Sequence, residues 1–457
     1  MKHSPLSFVN LFSSTIYPIC FLAGCHSQQA ATTDQHTAQN KVLSTTTVLI
    51  ASPDLTNVSA DSASDTILDM HFSELGGGAV YKIKRDGMDQ VVHNGVGGKK
   101  YQEVLYVRLS RDGTRVAYSA RTETKWRMVV DGVEGMYFDD VGTPVFSPDG
   151  KHILYDAKLG EEWHLVVNGK MNKEACSSYY DKVFSKDSRK IIALENAAPD
   201  NSLARVVVRD PQFKVLSALE ISGSGVKFNR DKSRFALISE HNGKKRVRVV
   251  SMAEALLVSE GQPFDEISRV GFGRDGVSFA YVGQRKEQQF VVRNESEEAL
   301  PAGELGMEAP QPRPGQKSAA LPLVTAQGAY MHFALESKVF PQKRYDEVAF
   351  PAFDATGRSF AYCARNGKQM FYVVNGKESP DFDKVLAPEF SPDGARVVAR
   401  VKKSGKRFVV VMDSGGKVLR EHPPYDMVYA TTFTDDGSSV AYGVKDGDKL
   451  IWKVEKL

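Results

Sequence analysis

The sequence predicts an all-β chain: a β-propeller of about nine four-stranded repeats of roughly 40 residues, closed as one large ring, with two smaller rings as the alternative. Three observations predict it. From about residue 65, short runs rich in Val, Tyr, Phe and Ile alternate with turns of Gly, Asp, Asn and Lys. The stretch FSPDG at 146–150 recurs at 390–394, and in looser form as LSRDG, FDATG and FTDDG. The last apolar residue before each such turn serves as a ruler. Its steps are 37 to 44 residues, apart from one gap of 81.

The ruler marks are Leu109, Phe146, Phe184, Phe228, Phe272, Phe353, Phe390 and Phe433. The gap of 81 hides a ninth, because 309–335 aligns with 387–413 and places an anchor at Pro312. Prolines have eroded the first strand of that unit, since each removes a backbone donor. Every unit carries four pieces. An apolar strand such as TPVF runs into the turn, and an alternating strand such as HILYDA leaves it. WHLVVNGK is the third piece, and a short segment ending aromatic-Asp-x-Val is the fourth. Residues 79–93 read as the outer two strands of a further unit. The last unit stops after its third strand, KLIWKVEKL, so an N-terminal strand is available to fill the vacant outer position and clasp the ring shut. TTTVLIA at 45–51 is a run that can dock as a strand. SMAEALLVSEG at 251–261 is a weak helical candidate.

An Asp-Gly turn beside Ser invites a metal-loop reading. The turn chemistry argues for a structural one. Ser147, Pro148 and Asp149 suit the first three positions of a type I turn, and Gly150 suits the left-handed residue that follows. Where Gly is replaced, at Ser188 and Lys232, the apolar strands persist. Trp126, Trp163 and Trp452 fall in third-strand regions and are read as packing residues.

The N-terminus reads as an export signal over 1–24, with Lys2 followed by an apolar run too short and interrupted to span a membrane. LAGC, ending at Cys25, resembles the lipobox of bacterial lipoproteins. The resemblance implies that Cys25 carries lipid. His26 stands where an inner-membrane retention signal has Asp, which favours the outer membrane, facing the periplasm. Residues 25–64 read as lipidated Cys plus a Ser/Thr/Ala/Gln-rich flexible tether, and 65–457 as the propeller. Net charge is +3, so no strong field points to nucleic acid or a membrane surface. The basic runs at 243–249 and 402–407 read as solvated turns. Cys176 and Cys363 read as two separate thiols, although export permits a disulfide.

The repeats over about 75–457 resemble the TolB-like, WD-repeat-like propellers of bacterial envelopes. That resemblance implies a non-catalytic scaffold for an envelope protein or peptide, touching the membrane through its lipid only. The chain departs from the family in its lipid anchor and larger number of repeats. No hydrolase elbow, HExxH, P-loop or zinc spacing appears, so no catalytic residue, cofactor or metal ligand is expected. The rival readings are a propeller enzyme of lactonase or lyase type, or a small-ligand or glycan sensor, working in the central channel. The candidate partner face comes from the recurring aromatic-Asp-x-Val/Ile. It would gather Asp139, Asp181, Asp265, Asp346, Asp383 and Asp426 as an acidic ring, opposite the Ser-Pro-Asp-Gly turns. The blander account is that each Asp accepts hydrogen bonds from local amides while its aromatic neighbour packs between blades.

Overall fold

The computed structural model describes residues 46–51 and 66–457, less short stretches at 74–77, 197–202, 231, 295, 302–303, 307, 337–342, 434–436 and 448. Cys25, the export segment and most of the tether lie outside them. Among the described residues every regular element is a strand, including Leu256–Glu260 in the weak helical candidate. The strands form ten antiparallel sheets rather than about nine. In eight of them the strands run in chain order from an inner strand through second and third strands to an outer one, as propeller blades do; blades 7 and 10 depart from this.

The extra unit is blade 1, built from Thr66–Phe72, Ala79–Arg85, Met88–His93 and Val96–Tyr101. Residues 79–93 therefore supply its two middle strands, not its outer two. The ruler missed this blade because its first turn lacks Asp-Gly. Ser73 does the turn's work there: its N–H donates to the Gly78 carbonyl and its Oγ accepts from the Gly78 N–H at 3.0 Å. Blade 7 contains the hidden repeat. Its inner strand survives as two fragments, Glu304–Leu305 and Gln311–Pro312, both paired to Ala319–Thr325.

Blade 10 consists of Met427–Phe433, Ser439–Asp446 and Lys449–Lys456, and its outer strand comes from the other end of the chain. Thr46–Ala51 pairs antiparallel with Lys449–Lys456, within the stretch expected to be tether. This non-covalent clasp closes a single ring. Buried apolar side chains then form a seam between each blade and the next. In the seam of blades 8 and 9, Cys363, Tyr372, Phe382, Phe390 and Val410 are all at most 2% exposed. At about 1.5–3 kcal/mol for each large buried side chain, such seams rather than any one sheet hold the ring. The seam between blades 10 and 1 is smaller. Phe72 packs there on Trp452 and Tyr429, with ring centroids 5.1 and 5.7 Å apart.

The Ser-Pro-Asp-Gly turns are structural. The Ser147 hydroxyl donates to Asp149 Oδ1 at 2.5 Å and accepts from the His152 N–H at 2.9 Å. The same bonds recur at Ser110, Ser185 and Ser391. Gly150 has φ +71°, and Ser188 and Lys232 adopt +61° and +54° where Gly is absent. Trp126 exchanges backbone hydrogen bonds with Phe138 at the seam of blades 2 and 3, and Trp452 is 3% exposed. Cys176 and Cys363 are unpaired thiols.

Candidate functional site

Chain direction sorts the connections onto two faces. Turns from inner to second strand, the Ser-Pro-Asp-Gly set, lie on one. Hairpins from second to third strand lie on the other, together with the segments that cross from one blade to the next inner strand. The aromatic-Asp pairs occupy those crossings. Phe138, Phe264, Tyr345, Phe382 and Tyr425 are each at most 4% exposed, and each bridges the third strand of the preceding blade.

The following Asp then meets the hairpin of its own blade. Asp139 Oδ2 accepts from the Gly160 N–H at 2.8 Å, and Asp265 from Lys286 at 2.7 Å. Asp346 accepts from Gly367 at 2.6 Å, Asp383 from Ser404 at 2.7 Å, and Asp426 from Gly447 at 3.0 Å. All five donor residues have positive φ, which aims their N–H inward. Three of the carboxylates also take a lysine from the preceding blade: Asp139 from Lys125, Asp265 from Lys244, and Asp426 from Lys406 at 2.7 Å. The lysine hydrogen bond, then the backbone one, holds the carboxyl groups of Asp139 and Asp265 below the usual carboxylate range. The same causes act on Asp426. These Asp are clips that tie one blade's hairpin to its neighbour. They share one face, and at Asp139, Asp265 and Asp426 the charge is met by a lysine of the preceding blade.

Asp181 is different. It stands three residues before its anchor, Phe184, whereas the other five stand seven before theirs. It therefore sits inside the inner strand Ser178–Phe184, opposite Leu194, and forms an ion pair of 2.6 Å with Lys232 in the next blade's turn. The spacing to the anchor was the sequence signal that separates it from the others.

A second feature was hidden from motif reading. Each inner strand pairs on one edge only, so its free edge lines the channel. In blades 2, 6 and 8 the inner strand carries a bulge three residues before its anchor, at Tyr106, Arg269 and Phe350, with φ of +54°, +55° and +54°. Blade 5 has Gly225 there. A bulge turns a side chain away from the sheet faces toward the free edge. Left-handed backbone is costly for large residues and is worth attention where it recurs. Tyr106 is 41% exposed. Beside Arg269 lies Glu308, whose carboxyl group desolvation pushes up, with the Phe350 N–H 3.4 Å from Oε1. Arg269 Nη1 is buried and makes no hydrogen bond. Arg269 and Glu308 thus bring a cation and an acid together where the inner strands of blades 6 to 8 meet. Among the described residues, no three His, Cys, Asp or Glu side chains converge as metal ligands would.

No family model and no curated protein matches the chain. Many solved structures do, and three of them are 10 to 13% identical. A eukaryotic initiation factor is 13% identical over 77% of this chain and 97% of its own, with a TM-score of 0.44. The Dos1 propeller is 10% identical over 86% and 93%, at 0.37. The propeller domain of the trilobed protease from Pyrococcus furiosus is 10% identical over 77% and 96%, at 0.34. Likenesses this remote say nothing of function. The ring of ten antiparallel sheets identifies the chain as a β-propeller.

Proposed function

We propose that the chain is a lipid-anchored envelope protein whose propeller is a non-catalytic scaffold for another envelope protein or peptide. Cys25 carries the lipid, and the clip face, with its second-to-third-strand hairpins, meets the partner. The supporting observation is the path of the clasp. Ala51 lies opposite Leu450, next to the hairpin that meets Asp426, and Thr46 lies opposite Val454, toward the Ser-Pro-Asp-Gly turns. The chain coming from Cys25 therefore joins the ring on the turn side. The clip face looks away from the anchor, where a rigid ring of similar hairpins is open to a partner.

Photo-crosslinking amino acids on both faces test this in envelope membranes. Glu161 and Lys368 sit in exposed hairpins of the clip face, and Lys151 and Ala395 in exposed turns of the other. A common protein adduct from the first pair but not the second supports the reading. Adducts from the turn face alone refute it. Incorporation of a labelled fatty acid, lost in Cys25→Ser, tests the anchor separately.

A further inference from the structure

We infer a carboxylate-binding groove on the side of the ring, between blades 3 and 4, that takes the free carboxyl end of an aliphatic peptide. The groove holds about 400 Å³, lies between Lys170–Cys176 and the sheet of blade 4, and is lined by Arg205, Arg209, Glu174, Val207, Val215 and Ala218 among others. That volume suits a dipeptide-sized ligand. The site is independent of the lipid anchor and of the clip face.

Glu195 is the residue out of place. It stands eleven positions after its anchor, where Ala120, Ala157, Ala364, Val401 and Val444 fill the equivalent buried position in other blades. Its side chain is 1% exposed, as is that of Arg209. Glu195 Oε1 accepts from Arg209 Nη1 at 2.7 Å, and Oε2 accepts from Arg205 Nε at 3.0 Å and Nη2 at 2.6 Å. Burying such a cluster costs desolvation that apolar packing would avoid, so stability does not explain it. The other blades show that the fold accepts Ala or Val there.

The donors left over describe the ligand. Glu195 is saturated by two guanidinium groups. Arg209 Nη2 reaches Glu174 at 3.1 Å, but Arg209 Nε is buried and has no partner. Glu174 is 59% exposed, and so is easily displaced. With Glu174 displaced, the groove presents guanidinium N–H donors, beside Glu220 opposite Arg205, and a carboxylate is their matched acceptor. The wall beside them is aliphatic: Val207, Val215 and Ala218. The bound carboxylate replaces Glu174 on Arg209 and takes the free N–H of Arg205, while the ligand's aliphatic side chain covers that wall.

The test uses the mature chain with Cys25→Ser and two probes of one shape, N-acetyl-Leu-Leu and its C-terminal amide, in calorimetric titrations. The acid should saturate, with the amide at least about tenfold weaker, a difference of about 1.4 kcal/mol. Arg205→Gln should weaken the acid about tenfold, and Glu174→Gln, which removes the internal competitor, should tighten it about threefold. Val215→Trp changes an exposed residue and should block the groove with an unchanged melting temperature, which separates occlusion from misfolding. Equal binding of acid and amide, no saturation by the acid up to about 10 mM, or full binding in Val215→Trp would each overturn the assignment.

Discussion

Thr46 lies backbone to backbone opposite Val454, so the first described strand of the chain is the outermost strand of its last blade. Closure of the ring therefore depends on residues that are remote in sequence from the blade they complete. Deleting 26–44 should leave the melting temperature unchanged. Extending the deletion through Ala51 should lower it by about 3–4 °C, the shift expected for about 3–4 kcal/mol in a chain of this size. Equal melting of the two truncations would show that the clasp does not hold the ring.

The clip predicts a local effect. Asp383 holds the Ser404 amide at 2.7 Å without a lysine partner. In Asp383→Asn, hydrogen exchange at the Ser404 hairpin should quicken while exchange in the blade 9 core strand Lys406–Asp413 stays slow. Uniform acceleration through blade 9 would mean that the Asp supports the whole blade.

Glu455 gives the acid sensitivity a direction. The hydrogen bond from His422, with help from Tyr442 and Lys453, takes its carboxyl group from 4.5 down to about 2. A carboxyl group lowered by folding contributes stability above its unfolded value, and that contribution fades as pH falls toward 2. Glu455→Gln should melt about 3 °C below the parent at pH 7, and the gap should close near pH 2. A gap that stays constant with pH would remove Glu455 from the acid response.

The bulge at Tyr106 is strained, and glycine relieves such strain. Tyr106→Gly should raise stability by up to about 1 kcal/mol, since the side chain is 41% exposed and gives up little burial. A loss of stability in chemical denaturation would mean that the tyrosine makes contacts outweighing its backbone strain.

The thiols should differ in rate. Cys363 is fully buried, and burial pushes its thiol well above the ordinary value. Cys176 is half-buried, with its thiol pushed up to about 11 mainly by burial. An alkylating reagent at pH 8 should modify Cys176 slowly and Cys363 only after unfolding. Two thiols that react at one rate in the native protein would contradict this order.

The sequence by itself determined the all-β class, the repeat length, the hidden blade at Pro312 and the turn chemistry. Those follow from local rules: alternation marks strands, and Ser, Asp and Gly at fixed offsets mark the same hairpin each time. It also placed five of the six Asp on one face, because their spacing to the anchor is constant. The tertiary structure alone decided three things. It showed that the first blade turns on Ser73 without Asp-Gly, which a ruler built on Asp-Gly does not register. It fixed the pairing and register of Thr46–Ala51, which the sequence offers as a clasp for the last blade, against the outer edge of Lys449–Lys456. And it showed what the charges do: Asp426 is committed to Gly447 and Lys406, whereas Arg209 keeps a buried N–H unmatched. Pairing depends on which side chains of neighbouring blades come within hydrogen-bond reach, and no linear spacing fixes that.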